Sequence, residues 1–292
     1  MDYGLILPSL GDAATREGIE AAAEIAERHG LTDVWTTDHL LVDASAAEDY
    51  GRIFEAVTTL GYLTGRTSTV RLGASVVVVP MRNAVVLAKE LATIDHFSRG
   101  RLIVGVGVGW SRAEFANVGV SDRFKVRGAY TDETIRLLRH LWSGATWPFH
   151  GRFFTFDDFV FEPLPDQGSE LPIWIGGRQA PALERVGRLA DAYHASATSP
   201  SAYAPRIPII AAAAQAAGRP MPRLSARVRV RLHQRGPIEG YAMLGTPEEV
   251  AAEIRAFAAL GVDHLALTFP SRDPDGLAQE VEAFLREVAP IV

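Results

Sequence analysis

The chain has 292 residues and not one cysteine. At that length a large core forms without covalent staples, and the missing thiols exclude a disulfide framework, a thiolate metal site and a cysteine nucleophile. Its 29 Lys and Arg stand against 35 Asp and Glu, a net charge of −6 that argues against nucleic acid or an anionic membrane as a partner. Residues 1–8 hold no basic leader segment, and the apolar run 76–79 is far too short to cross a bilayer, so the expected location is the cytoplasm.

Short apolar or β-branched runs alternate along the chain with longer segments of helical period. A strand at 3–7 leads into a helix at 15–28, with Ile19, Ala22, Ala23 and Ala26 on one face and Gly30 just past its end. Strand–helix pairs continue at 33–37 and 54–64, 71–79 and 83–97, then 102–108 and 128–142. Residues 145–171 break the pattern: aromatics, Pro, Gly and Asp without a helical period predict an insertion with a small hairpin at 152–161. The alternation resumes at 172–175 and 180–190, 192–195 and 201–217, 224–232 and 246–260, and 264–269 and 277–288. Thr246-Pro247-Glu248-Glu249 is a helix start, with a Thr cap, Pro at the first helical position and Glu at the third. Eight strand–helix units in 292 residues predict an α/β fold, a single (β/α)8 barrel domain over 1–292.

Barrel enzymes carry their sites at the C-terminal ends of the strands. There the sequence places Ser9, Asp38-His39, Ser75, the run Gly105–Trp110 and Gly176-Gly177-Arg178. Asp38 and His39 form a titratable pair suited to proton transfer, or equally to a structural hydrogen bond or cap. Gly105, Gly107 and Gly109 alternate, so three side chains are missing from one face; that leaves room for a flat ligand or for tight packing inside the barrel. Gly176-Gly177 precedes a helix, where free N–H groups suit a phosphate and Arg178 adds charge; a plain turn is the other reading. Asp95-His96 and His264 fall at the opposite end and are expected to be structural. The sequence lacks H-E-x-x-H, a carboxylate cluster at a strand end and G-x-S-x-G. A reaction carried by a cofactor is the leading explanation.

The order and spacing of several stretches point to a family. They are Asp33-Val34-Trp35-Thr36-Thr37-Asp38-His39, Leu87-Ala88-Lys89-Glu90-Leu91-Ala92-Thr93-Ile94-Asp95, and Ser98-Arg99-Gly100-Arg101-Leu102 running into Gly105–Trp110. Arg112-Ala113-Glu114-Phe115, Pro172-Ile173-Trp174-Ile175-Gly176-Gly177 and Leu189-Ala190-Asp191-Ala192-Tyr193 follow. Over nearly the whole chain it resembles the bacterial luciferase-like monooxygenase superfamily, especially its deazaflavin (coenzyme F-420) branch.

The resemblance implies a TIM barrel that binds coenzyme F-420, or alternatively FMN, at its mouth. It implies a non-proline cis peptide at Ser75–Val76 behind the ring, space beside the ring at Gly107, Val108 and Gly109, and a phosphate held by Gly176, Gly177 and Arg178. Asp38 and His39 would line the pocket near the reacting atoms, His39 as proton donor or acceptor, with Ser9, Trp110 and Glu114 around the substrate. Arg178, Arg229, Arg231 and Arg272 would supply a basic groove for the F-420 tail, or lie on the surface. Trp110 stands where some F-420-dependent sugar-phosphate and alcohol dehydrogenases of the family carry Glu, so those activities are not expected. The expected reaction is hydride transfer between reduced F-420 and a small organic substrate. The alternatives are oxygen insertion with reduced FMN supplied by a separate reductase, and a flavin-binding barrel without turnover. A homodimer through the second and third helices is expected.

Overall fold

A computed structural model describes residues 1–271 and 273–292. The barrel strands are β1 (Asp2–Ile6), β2 (Asp33–Thr36), β3 (Arg71–Ala74), β4 (Leu102–Gly107), β5 (Ile173–Ile175), β6 (Ala192–Ser196), β7 (Arg223–Leu232) and β8 (Val262–Thr268). Each pairs in parallel with the next, and β8 pairs with β1, so the sheet closes. The principal helices after them are α1 (Arg16–Arg28), α2 (Ala56–Thr64), α3 (Ala84–Ser98), α4 (Arg127–Trp142), α5 (Ala180–Leu189), α6 (Ile207–Ala216), α7 (Pro247–Ala259) and α8 (Pro274–Ala283). This is the (β/α)8 barrel that the eight units predict. No helix among the described residues is long and apolar enough to cross a membrane.

Local chemistry sets the helix starts. Thr15 Oγ1 accepts the Gly18 amide at the head of α1, and Asn83 accepts the Val85 and Val86 amides at the head of α3. Thr246 and Glu249 form a reciprocal capping box on α7. Several bounds differ from expectation for physical reasons. The third strand stops at Ala74, turns through a cis Ser75–Val76 peptide, and resumes only as Val77–Val78 beside Val106 and Gly107. The helix expected over 201–217 is split by a 3-10 turn at Ala204–Arg206, where Pro205 cannot donate to a helical ladder. The last helix starts earlier than expected, because Asp273 caps it through the Gly276 amide and Pro274 opens it.

The insertion between α4 and β5 carries its hairpin at Phe149–His150 and Thr155–Phe156, earlier and shorter than 152–161. The buried Glu133 carboxylate fixes that turn by accepting the amides of Arg152, Phe153 and Phe154 at 2.8, 2.7 and 2.9 Å. A short strand not foreseen, Met243–Gly245, pairs with the C-terminal part of β7.

Two apolar layers result. The larger one fills the space between strands and helices, with residues such as Leu5, Leu72, Val104 and Leu265. The smaller one lies inside the barrel and contains Trp35, Trp174, Ile103 and Ala266. Trp35 fits there because Gly73 faces it; a Cβ on Gly73 would sit 2.5 Å from the Trp35 ring.

Candidate active site at the barrel mouth

The C-terminal strand ends surround a cavity of about 700 Å³. His39, just past β2, lines it, and its Nδ1 lies 2.9 Å from Glu114 Oε2. Glu114 Oε1 also accepts the Leu40 amide at 2.7 Å. Glu114 is held in place because Ser111 caps the short helix Arg112–Asn117 through the Glu114 amide. Burial alone would raise the Glu114 carboxyl, but the hydrogen bonds from His39 and the Leu40 amide outweigh it and hold the group below its ordinary value. An ionised Glu114 accepts a hydrogen bond from His39 Nδ1–H, and Nε2 is the ring nitrogen that Glu114 does not engage. The Tyr50 ring lies 4.2 Å from the His39 ring, and Trp110 lies 5.8 Å away.

The structure places the other expected site groups as follows. Asp38 lines the cavity, but its oxygens are committed: Oδ2 accepts the Val78 amide at 2.8 Å and Oδ1 pairs with Arg82 at 2.6 Å. It ties the end of β2 to the bulge after β3. Burial pushes its carboxyl up, against the pull of Arg82. Ser9 is fully buried and is not part of the cavity wall; its Oγ accepts the Thr37 amide at 3.2 Å and joins the ends of β1 and β2. Glu114 stands behind His39 rather than in the wall. The glycines of β4 leave less free space than expected. A Cβ on Gly105 would overlap the Ala74 carbonyl, and one on Gly107 would overlap Val76, so the bulge itself occupies that room. Gly109 has φ +73°, and a Cβ there would meet Val78 at 2.7 Å. Gly107, Val108 and Gly109 still line the cavity.

Another part of the wall is Gly176, Gly177, Arg178 and Gln179, leading into α5. Gln179 makes no side-chain cap; Pro181 carries no N–H, and the Ala182 and Leu183 amides donate to the Gln179 carbonyl at 2.8 and 3.1 Å. Gly177 has φ +141° and lies against Ala182, a conformation and a space that exclude a side chain. Ser75 and Val76 line the same cavity. Of the expected basic groove, Arg178 and Arg229 line the cavity, Arg231 does not, and Arg272 lies outside the described residues. Arg229 donates to the Tyr241 and Glu239 carbonyls.

Sequence reasoning passed over Tyr50 and His194, and placed Arg227 on the seventh strand without giving it a role. Tyr50 ends a helix of four residues, Ala47–Tyr50, too short to give a periodic signal. Arg227 donates to Thr37 Oγ1 at 3.1 Å and to the Ser75 carbonyl at 3.2 Å, and has no carboxylate partner among the described residues. Burial lowers its pKa. The polar face of β7, with Ser225, Arg227 and Arg229 at alternate positions, was the available signal. Among the described residues no group of three or more His, Asp or Glu is assembled to hold a metal ion.

Comparison with known proteins agrees with this geometry. The chain is 30% identical over 203 residues to an FMNH2-dependent dimethylsulfone monooxygenase of Pseudomonas putida, covering 67% of this chain and 53% of that protein. It is 32% identical over 174 residues to a coenzyme F-420-dependent glucose-6-phosphate dehydrogenase of Kineococcus radiotolerans, covering 58% and 49%. The chain thus spans about half the length of these curated relatives. Among solved structures, an F-420-dependent secondary alcohol dehydrogenase superposes with a TM-score of 0.83 at 22% identity, over 100% of this chain and 98% of that one, which shows a shared fold. The family described as luciferase-like monooxygenase matches residues 4–239, and the chain belongs to that family.

Proposed function

We propose that the chain is an oxidoreductase that binds a flavin-type ring cofactor in the mouth cavity, with coenzyme F-420 as the cofactor and hydride exchange with a small organic substrate as the reaction. The observation that carries this reading is the charge of the cavity. Arg227, Arg178 and Arg229 all line it, and none of them forms an ion pair with a carboxylate among the described residues. Such a site suits an anionic ligand with a flat polar ring and an acidic tail.

The residues present fit that group. Ser75 and Val76 line the cavity where a ring would lie, and Gly176, Gly177 and Arg178 are the residues that would hold a phosphate. When bound, the reduced ring supplies two electrons, as hydride to an organic acceptor or, for FMN, to dioxygen. The chain's own residues do the rest. Arg227 holds negative charge in the wall. His39, oriented by Glu114, moves a proton at Nε2. Tyr50 and Trp110 border the substrate. The relative from Pseudomonas putida favours a second reading, an FMN-dependent monooxygenase fed by a separate reductase.

Fluorescence titration of the purified protein with each cofactor tests the choice. Tighter binding of F-420 than of FMN is expected. Tight FMN binding without F-420 binding overturns the cofactor assignment, and binding of neither overturns the reading. A homodimer through α2 and α3 belongs to the same proposal, since Tyr62, Val85, Val86 and Phe97 are exposed there. Sedimentation of a monomer that persists at high concentration removes it.

A further inference from the structure

The barrel interior holds four polar side chains that the reading above leaves without a task. Asp33, His194, Ser225 and His264 lie on β2, β6, β7 and β8, and all are at most 2% exposed. They form one continuous series of hydrogen bonds that reaches the cavity at Ser75. Ser75 Oγ is 2.9 Å from His194 Nε2. His194 Nδ1 is 2.8 Å from Ser225 Oγ, which is 2.7 Å from His264 Nδ1. His264 Nε2 lies 2.9 and 3.1 Å from the two Asp33 oxygens. Asp33 accepts two further bonds, from Trp35 Nε1 and Thr32 Oγ1.

Proton counting allows two orders. A hydroxyl carries one proton and a neutral imidazole carries one. With Asp33 ionised and His264 neutral, His264 Nε2–H donates to Asp33 and its Nδ1 is bare. Ser225 then donates to His264, His194 Nδ1–H donates to Ser225, and Ser75 donates to His194. Every proton points inward, and Ser75 offers only an acceptor to the cavity. With His264 doubly protonated, the three bonds that join His264 Nδ1 to Ser75 reverse, the Nε2–H bond to Asp33 keeps its direction, and Ser75 donates to the cavity. The two orders differ by one proton, and neither places charge on His194 or the serines.

The surroundings suit Asp33 to hold charge and His194 to pass a proton without holding one. Burial opposes ionisation of Asp33, but His264, Trp35 and Thr32 outweigh it and keep its carboxyl below the ordinary range. Burial, with His264 and Arg227 adding to it, lowers His194 to about 3, so His194 stays neutral. Its ring stacks on Trp35 at 4.7 Å, and Trp174 packs against His264 at 5.0 Å. The charged groups around the series are Asp33, Arg71 near it, Arg223 over the Trp174 ring, and Arg227 at the mouth.

We propose that Ser75, His194 and Ser225 relay a proton between the cavity ligand and the buried His264–Asp33 pair. The ligand gives a proton to Ser75 Oγ as Ser75's own proton passes to His194 Nε2. The His194 Nδ1 proton passes to Ser225 Oγ, and Ser225's proton passes to His264 Nδ1. Each bond to hydrogen that breaks is matched by one that forms. The ligand keeps the electron pair, and the positive charge arrives on His264 opposite Asp33. The reverse series returns the proton. This role rests on the reading that the cavity holds a redox ring, whose turnover moves protons along with electrons.

Histidine-selective nitrogen-15 NMR of the full chain without ligand, from about pH 5 to about pH 9, tests the relay. As His264 takes its second proton, His194 is expected to switch from the Nδ1–H to the Nε2–H form with the same midpoint while remaining neutral. A His194 that keeps one form while His264 titrates overturns the proposal, as does a His264 that never titrates. In Ser225→Ala the two residues are expected to lose their common midpoint, and a coupling that persists there overturns it. The wild-type titration decides even if that variant does not fold. Repeating it with FMN and with F-420 separates the two readings. A cofactor that binds is expected to shift both midpoints together by about half a pH unit or more, a threefold change in proton affinity. Binding without a shift overturns the link to the cavity. Binding of neither cofactor overturns the cofactor reading, and the ligand-free titration still decides the relay.

Discussion

Toward the helices, β7 presents Leu224, Ala226, Val228 and Val230; toward the barrel axis it presents Ser225, Arg227 and Arg229. β8 repeats the division, with Leu265 and Leu267 outward and His264 and Ala266 inward. The outer side is aliphatic and continuous with the helices. The inner side is aromatic and polar, where barrels of this kind more often stack Val, Ile and Leu. The same strands therefore serve two ends. Their outer faces supply the buried apolar area that stabilises the fold, and their inner faces hold groups whose desolvation is balanced only by hydrogen bonds to one another. Strand parity keeps the two apart, since a slip of one residue would exchange the faces.

The comparison breaks if a change on the inner side costs stability alone, or if a change on the outer side alters turnover. The largest effect is expected at His39. His39→Ala should lower turnover by about 10²- to 10⁴-fold with little change in melting temperature. Glu114→Gln should fall between that variant and wild type, because the ring remains but its orientation weakens. Steady-state kinetics beside thermal melts would check both, and unchanged turnover in His39→Ala removes the residue from the mechanism. Next comes the outer layer. Leu72→Ala, at a fully buried site, should cost about 2–5 kcal/mol by urea unfolding while leaving the turnover of the folded fraction unchanged.

The smallest effect sharpens the contrast at the far end of the barrel. Glu27 on α1 accepts the backbone amides of Ser68, Thr69 and Val70 at 2.6, 2.6 and 3.2 Å. Partial burial alone would raise its carboxyl, but these bonds lower it from 4.5 to about 2. Its contribution is therefore complete above the unfolded value of 4.5 and is lost as pH falls through about 2. Glu27→Gln should cost about 1 kcal/mol near neutral pH, and the difference from wild type should vanish in acid. A difference that persists in acid assigns the loss to packing instead.

The eight units were readable because β-branched runs and helical periods are local signals. The mouth was partly readable for the same reason: strand ends could be ranked once the units were counted. His39, Asp38 and the 176–178 turn stand on the cavity, whereas the hydrogen bonds of Ser9 and Asp38 to Thr37, Val78 and Arg82 were not legible because tertiary contacts set them. The inner series was hidden. His194 sits in the short run 192–195, whose other members are apolar or aromatic, and His264 opens a predicted strand at the end away from the mouth. Asp33 and His264 meet across 231 positions of sequence, a distance at which no periodicity speaks.

Closure of the sheet has a consequence for how the chain is made. β1 leaves the ribosome well before its neighbour β8. Until residues 262–268 emerge, β1 and β7 each present an open strand edge, the kind of surface that recruits other chains. Asp33 also waits for His264, so the polar interior is completed by the same late event that seals the edges. A nascent chain stalled before β8 would thus carry a carboxylate without its histidine partner and two sticky margins together, which makes the last barrel strand the point where quality control has most to detect.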